Sequence, residues 1–243
     1  MITMVDEDAA RSRSHGLRPE VLDAQADRLG LRRITGRCSW QTYDAAFDAA
    51  LREAKADGVT HVIFGDILFD EHRAWAEARC TANGLTAVEP LFGSSTLALF
   101  HDWIDSGAEA IIVTARAGLL DESWLGRVLR LGMVEEFARL GVDPCGERGE
   151  YHTVVTNSPL FSAPINVAHG ECVLRSGCHA LDLRVANSSA GLPPSPEGYG
   201  EPRRSSPDMS ASGGGKARTT NEQATGPTTE TRRALSGSRP RTC

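Results

Sequence analysis

The feature that most constrains the fold is a regular alternation of short apolar runs and amphipathic segments along the first 115 residues. Each of the segments between the runs repeats its apolar residues at helical spacing, most clearly from Tyr43 to Ala54. The apolar runs predict strands at residues 2–5, 34–38, 61–64, 85–88 and 110–114. Connections of this length favour right-handed parallel crossovers, so we expect an α/β fold with a doubly wound parallel sheet. Ligands of such sheets bind outside the carboxyl ends of the strands.

The pattern changes after Ala115. An amphipathic helix is predicted within residues 129–140, followed by a loop over residues 143–150. Short antiparallel strands are then predicted at residues 151–157, 165–168, 171–175 and 178–185. We therefore expect an α/β domain over residues 1–115 and a smaller α+β domain over residues 116–185.

The last 58 residues have a different composition. Residues 186–243 contain 31 Gly, Pro, Ser or Thr residues, with Tyr199 as the only aromatic. Such a segment buries too little apolar surface to offset the entropy of ordering its backbone, so we expect a disordered tail. The Gly-rich stretch at residues 212–216 resembles a phosphate loop, but no strand precedes it and no helical pattern follows it.

Composition and charge exclude several classes of protein. A formal charge of -6 provides no positive field for a general nucleic-acid binder. No stretch approaches the ~20 apolar residues of a membrane span, and the acidic residues just after Met1 do not fit a signal peptide. We therefore expect a cytoplasmic protein without nucleic-acid or membrane partners. No Cys-x-x-Cys pair is present, so no metal site is predicted.

The densest group of chemically versatile residues lies in the predicted loop and the strand after it. Two glycines, Gly146 and Gly149, allow the backbone to curl and its amides to face a ligand. The carboxylates of this group can share a proton, and its imidazole and phenol add hydrogen-bond donors. Its side chains are Glu147, Glu150, Tyr151, His152 and Thr153. A Gly-rich turn with solvated acids, leading into a strand, is equally compatible with the spacing.

Other candidates have two interpretations each. Asp66 follows the strand predicted at residues 61–64 and could orient a substrate or nucleotide, or it could cap a following turn. Arg73 and Glu77 are spaced i, i+4 and are more typical of a surface ion pair than of a site. Cys145 could act as a nucleophile with His152 as its base, although the spacing does not require the two to meet.

Several of these residues resemble a known family. The resemblance to the diphthine–ammonia ligase family of ATP pyrophosphatases covers residues 1–185, and its most specific element is Gly-Glu-x-Gly-Glu-Tyr-His-Thr. The matching segments are Gly65-Asp66-Ile67, then Arg73, Trp75, Glu77 and Cys80, then Pro90-Leu91-Phe92, then Pro144 to Thr153, and finally Arg175 to His179.

The resemblance implies a nucleotide-binding domain of the adenine-nucleotide α-hydrolase type over residues 1–115 and a small substrate-binding domain over residues 116–185. It implies that ATP, accompanied by Mg²⁺, activates a carboxylate as an acyl-adenylate, which ammonia converts to an amide. The substrate known for the family is diphthine on elongation factor 2. By position, catalytic roles fall to Glu147, Glu150 and His152, substrate binding to Asp66, Gly146, Gly149, Tyr151 and Thr153, and nucleotide binding to Thr3, Met4 and Gly65.

The chain departs from the family pattern at its start. Family members place a strand, a Ser-Gly-Gly-Lys-Asp-Ser phosphate loop and a helix ahead of the segment that begins here at Met1. Losing three charge-assisted hydrogen bonds would cost about 6 kcal/mol of phosphate binding. The family's missing strand belongs between the strands at residues 2 and 61, so we expect unpaired strand edges there. We therefore expect an impaired ligase, with a non-catalytic nucleotide- or partner-binding remnant as the alternative.

Overall fold

The computed structural model describes residues 1–186. The predictions for the tail and for residues 212–216 lie outside the described residues. The strands are β1 (Ile2–Val5), β2 (Ile34–Arg37), β3 (His61–Ile63), β4 (Thr86–Val88), β5 (Glu109–Arg116), β6 (Tyr151–Asn157), β7 (Val167–Arg175) and β8 (Cys178–Val185). The helices are α1 (Pro19–Arg28), α2 (Tyr43–Ala56), α3 (Asp70–Ala82), α4 (Thr96–Asp105) and α5 (Met133–Leu140).

The amino-terminal half contains two separate pairs of parallel strands. β1 pairs with β2, with Ile2 opposite Ile34, and β3 pairs with β4, with His61 opposite Thr86. A Cβ at Gly36 of β2 would lie 2.6 Å from the sulfur of Met4, so a larger residue there would displace the end of the Met4 side chain. The amphipathic stripe of α2 covers these strands as predicted, with Phe47 and Leu51 in the same apolar cluster as Cys80 of α3.

The fifth predicted strand corrects the expected topology. β5 does not extend a parallel sheet but is a central strand of a four-stranded antiparallel sheet in the order β6-β5-β8-β7. Within residues 1–186, a doubly wound parallel sheet is therefore not formed, and the fold is a mixed α/β arrangement of two small parallel sheets and one antiparallel sheet. The apolar run of β5 arises because it is central and covered on both faces.

Alternate residues of β5 enter two different cores. Ile111 and Val113 pack with Val21 and Leu22 of α1, whereas Ile112 packs with the aromatic residues of α4 and α5. Burial of a strand on both faces of its sheet therefore indicates a central strand, but it does not indicate whether the strand runs parallel or antiparallel to its neighbours.

Two smaller boundaries differ from the sequence predictions. α5 begins at Met133 rather than near residue 129. The two strands predicted at residues 165–168 and 171–175 form the single strand β7, with an irregular register between His169 and Cys172. In the part of the chain that the structure describes, no helix is long and apolar enough to cross a membrane.

Candidate functional site

Seven of the eight residues predicted for catalysis or substrate binding, all except Glu150, line one cavity of about 330 Å³. The cavity is bounded by the carboxyl end of β3, the Gly-rich loop over residues 143–150 and the start of β6, and it is also reached by residues 14 and 15 and by α3. Its lining residues are Ser14, His15, Trp40, Asp66, His72, Cys145, Gly146, Glu147, Gly149, Tyr151, His152 and Thr153.

The Gly-rich loop folds as two successive turns that require its glycines. Gly146 and Gly149 have φ angles of +69° and +72°, in the left-handed region that favours glycine. The amide of Gly146 donates to the carbonyl of Asp143 at 2.9 Å, and the amide of Gly149 donates to the carbonyl of Gly146 at 2.9 Å. A Cβ at position 146 would lie 2.9 Å from the carbonyl oxygen of Tyr151. The loop therefore packs too closely against β6 to accept a side chain there.

Glu150 lies inside the loop. Glu150 is only 2% exposed. Its two carboxylate oxygens accept hydrogen bonds from the amides of Asp143 (3.1 Å) and Arg148 (2.9 Å). A carboxylate with both oxygens committed to backbone amides holds the loop in its turns. Glu150 does not line the cavity that its neighbour Glu147 lines.

Glu147 connects the loop to the end of β3. Its Oε2 accepts a hydrogen bond from the amide of Ile67 at 3.1 Å, across 80 positions of sequence. Burial raises the pKa of the Glu147 carboxyl, and the nearby Asp66 raises it further, against the Ile67 amide, which lowers it. A half-buried carboxyl with a raised pKa, facing a cavity, has properties that suit a group that accepts and donates a proton.

Asp66 contacts a histidine that the sequence did not single out. The Nδ1 of His72, in α3, lies 3.1 Å from Oδ1 of Asp66, and both side chains line the cavity. The N-cap of α3 is Phe69, so Asp66 does not cap that helix. The sequence spacing of Asp66 and His72 does not predict their contact. The two side chains meet because the loop between Asp66 and α3 folds back.

His152 faces a second histidine, His15, across the cavity. Their ring centroids are 4.8 Å apart. Desolvation lowers the pKa of His15, and the neighbouring His152 ring lowers it further. His15 keeps an exposed surface toward the cavity. Sequence analysis missed His15 because only the tertiary fold brings residues 15 and 152 together.

Tyr151, His152 and Thr153 are consecutive residues at the start of β6, and all three line the cavity. The Tyr151 hydroxyl donates to the carbonyl of Pro144, its ring stacks on Phe137 at a centroid distance of 5.2 Å, and burial raises the pKa of its hydroxyl. Tyr151 thus anchors the start of the loop as well as lining the cavity. Thr153 lines both this cavity and the larger one described next.

A larger cavity of about 980 Å³ adjoins the first, and the two share Ser14, His15 and Thr153. Thr3 and Met4 of β1 line it, together with β3, the following Phe64 and the aromatic residues Tyr43, Phe47 and Trp75. Gly65, the third residue expected near a nucleotide, follows directly, and the space where a Cβ would project is open. The three residues expected to bind nucleotide therefore lie along or beside this cavity.

The remaining sequence candidates have clearer interpretations in the structure. The Cys145 thiol donates to the carbonyl of Thr96 at 3.2 Å, and burial raises its pKa to about 12. A neutral thiol is a poor nucleophile, which argues against the cysteine-hydrolase interpretation. Arg73 and Glu77 form an exposed pair at 3.0 Å, as the surface interpretation expects.

Fold and site together define a class of protein in which parallel strand pairs adjoin an antiparallel sheet that carries a Gly-rich, carboxylate-bearing loop at its edge. Residues 95–183, which include that loop, match the family described as diphthamide synthase C-terminal domain. Over this segment the chain is similar to that family, and curated diphthine–ammonia ligases match a longer stretch of it.

Three relatives illustrate the extent of the similarity. The diphthine–ammonia ligase of Rattus norvegicus is 30% identical over 150 residues, which are 59% of this chain and 55% of that protein. The Danio rerio enzyme is 34% identical over 128 residues, 51% of this chain and 49% of that protein. The Homo sapiens enzyme is 28% identical over 152 residues, 61% of this chain and 57% of that protein. The chain thus spans about half the length of the curated relatives it matches.

Proposed function

We propose that this protein is an ATP-dependent ligase that activates a carboxylate as an acyl-adenylate and converts it to an amide with ammonia. The observation that carries the proposal is the meeting of Asp66, Glu147 and His152 at one cavity, beside a larger cavity lined by Thr3 and Met4. The substrate we propose first is diphthine on elongation factor 2, because the relatives are named for that substrate. A related small carboxylate is the alternative.

The larger cavity fits a nucleotide in size and in character. Its volume of about 980 Å³ is at the upper end of the range for small-molecule sites, and aromatic residues such as Tyr43 and Trp75 suit a purine ring. ATP supplies the activating adenylyl group when it is bound. We propose that Thr3, Met4 and the open backbone at Gly65 border the adenosine, and that Mg²⁺ enters with the phosphates, as Mg²⁺ does at most nucleotide sites.

We propose that proton transfer belongs to Glu147. Ammonia attacks as the free base, so a group must take the proton that the new amide releases. The raised pKa of Glu147 and its place on the cavity wall suit it to that step, while its bond to the Ile67 amide fixes its position. His152 and the Gly-rich loop would orient the acyl oxygen, and Glu150 would act by holding the loop.

The phosphate end of the site is proposed to need a further strand and loop. Among residues 1–186, β1 pairs only with β2 and β3 only with β4, and residues of both β1 and β3 line the larger cavity. Ile63 of β3 is 74% exposed, which is unusual for an apolar strand residue. We propose that a parallel strand fills this gap, completes one sheet across both pairs and brings the phosphate loop to the carboxyl ends. The chain without it would bind ATP weakly.

A non-catalytic nucleotide- or partner-binding protein is the second candidate. The same open edges of β1 and β3 favour it, because an unpaired strand edge can take a strand from a partner. In that case the cavity would bind its ligand without turnover.

The decisive experiment compares this chain with a version that carries an added amino-terminal strand, phosphate loop and helix. We expect calorimetry to give micromolar ATP binding, and ATP–pyrophosphate exchange to depend on a carboxylate substrate, in the extended version alone. A matched extension in which the loop lysine is replaced by Met separates restored folding from restored phosphate binding. Equal ATP binding by both versions would contradict the proposed need for the strand, and binding without exchange in either would favour the second candidate.

A further inference from the structure

A third cavity, of about 680 Å³, lies next to the candidate site and is lined by three arginines. Arg13, Arg116 and Arg175 border it, and the only acidic residue in its wall is Asp6. Ser14 and Trp40 line both this cavity and the smaller catalytic one, so the two share a wall. The residues described so far leave this cavity without a role.

Two of the arginines are held by hydrogen bonds, and the third is more exposed. The Arg13 guanidinium stacks over the Trp40 ring, 4.4 Å from its centroid, and donates to Asp6 at 2.7 Å. Arg116 at the end of β5 donates through Nη2 to the carbonyl of Arg148 in the Gly-rich loop. Arg175 at the end of β7 lies 3.9 Å from Asp6 and has a side chain that is 67% exposed.

The charges at this cavity are incompletely balanced. Three guanidiniums face one carboxylate, so two positive charges remain without a partner among the residues that line the cavity. The Nε of Arg13 is buried and has no hydrogen-bond partner in the part of the chain that the structure describes. Like charges gathered at one place repel each other unless an anion joins them, and planar guanidiniums match carboxylate and phosphate oxygens.

We propose that this cavity is an oxyanion subsite, which holds a carboxylate or phosphate group of the ligand whose reacting end lies beside Glu147. The proposal rests on the proposed function for the identity of the reaction, and it places in this cavity an anionic group other than the reacting carboxylate, either a phosphate of the nucleotide or a second carboxylate of a small acyl substrate. Ser12 and Ser176 supply hydroxyls to the same wall, and the volume leaves room for a group larger than a single oxyanion.

The two sources of the oxyanion can be told apart by the probe. Inorganic pyrophosphate stands for the phosphate part of a nucleotide, and glutarate stands for a substrate with a second carboxylate. Each is titrated by calorimetry into the full chain at low ionic strength, because screening weakens exposed charge interactions. Tighter binding of pyrophosphate assigns the subsite to the nucleotide, and tighter binding of glutarate assigns it to the acyl substrate.

Arg175→Gln is the variant that tests the subsite, since the exposed Arg175 side chain makes no hydrogen bond that the fold depends on among the described residues. Arg184→Gln is the matched control, because Arg184 lies on the neighbouring strand β8, is 63% exposed and likewise approaches a single aspartate, at 3.6 Å. We expect Arg175→Gln to weaken the preferred anion by about tenfold, the loss of one charge-assisted hydrogen bond, and the control to leave it within about twofold. Absence of binding by the parent chain, or equal weakening by both variants, would overturn the proposal.

This test is independent of catalysis. Arg175-dependent anion binding together with no ATP-dependent turnover in the extended protein would reject the proposed function and keep the subsite. Turnover in the extended protein, combined with anion binding that does not depend on Arg175, would keep the function and reject the subsite.

Discussion

The Oε2 of Glu147 accepts a hydrogen bond from the amide of Ile67 at 3.1 Å. This contact joins the Gly-rich loop of the carboxyl-terminal half to the segment that follows β3. Both segments border the same cavity, which contains Asp66 on one side and His152 on the other. One side chain therefore couples the position of the loop to the carboxyl end of a parallel strand, where ligands of such sheets are bound.

Replacement of Glu147 by Gln tests its proposed role in proton transfer. Gln keeps an acceptor for the Ile67 amide, so the fold should persist, but it takes no proton. We expect ammonia-dependent turnover by the extended protein to fall about 100-fold or more, with a small change in stability. Glu135→Gln, on the exposed face of α5, is the control. Turnover unchanged by Glu147→Gln would remove Glu147 from the proton path.

The pH dependence of the same protein offers a separate check. Because burial raises the pKa of Glu147, the carboxyl is protonated at a higher pH than an ordinary glutamate. A base must be deprotonated to act, so kcat should fall as pH decreases through that raised pKa, and the fall should begin above the ordinary range for Glu. The Glu147→Gln variant should lose this acidic limb, and an identical limb in the variant would assign it to another group.

Glu150→Ala tests the structural role of the buried carboxylate. The change leaves the amides of Asp143 and Arg148 without acceptors inside the loop. We expect a loss of about 2–4 kcal/mol in the free energy of unfolding, measured by urea denaturation, because each unsatisfied buried amide costs about 1–3 kcal/mol. Glu150→Gln, which keeps one acceptor oxygen, should lose less. Equal losses in the two variants would mean that the carboxylate's hydrogen bonds do not stabilise the loop.

The sequence predicted local structure better than it predicted strand partners. Every strand of the first 115 residues was predicted within two residues of its observed limits because apolar runs and helical stripes are local signals. The partners of β5 are residues 151–157 and 178–180, and no local signal encodes a pairing at that distance. The alternation of strands and helices predicts a parallel direction for β5, although an antiparallel strand can follow a helix through a connection of the same length.

The site shows the same division between local and tertiary information. The Gly-rich loop was found from its composition, and the structure brings its residues to one cavity with Asp66. The spacing could not distinguish Glu147, which faces the cavity, from Glu150, which faces backbone amides, because the left-handed turns at Gly146 and Gly149 set the direction of each. His15 and His72 were missed since their neighbours come from distant segments.

Asp182 makes the stability of the protein sensitive to acid. Its carboxylate accepts two hydrogen bonds from Arg18 at 2.8 Å and one from Arg11 at 2.6 Å, and these bonds hold its pKa well below the ordinary range. A depressed pKa stabilises the folded state at pH values above the unfolded pKa of about 4, and that contribution is lost as pH falls from there through the folded pKa.

Asp182→Asn should therefore destabilise the protein at pH 7, by about 1–3 kcal/mol in urea denaturation. The difference from the parent should shrink as pH is lowered below about 4. Asp105→Asn, at the exposed end of α4, is the control and should show no such convergence. A difference that stays constant from pH 7 to pH 3 would mean that the carboxylate's charge does not stabilise this cluster.

Gly146→Ala tests the close approach between the loop and β6. Two penalties add at this position, because the backbone has a φ angle of +69° and a Cβ would lie 2.9 Å from the carbonyl oxygen of Tyr151. Gly141, at the end of α5, has a nearly identical φ of +67° with nothing within 4 Å of a Cβ, so Gly141→Ala isolates the backbone penalty. We expect Gly141→Ala to cost about 1 kcal/mol in the free energy of unfolding and Gly146→Ala at least about 1 kcal/mol more.

Displacement of the loop should also weaken nucleotide-dependent activity in the Gly146 variant alone. Equal costs for the two variants would show that the loop moves away from β6 freely, and the position of Glu147 would then depend on its bond to Ile67 rather than on the packing of the glycine.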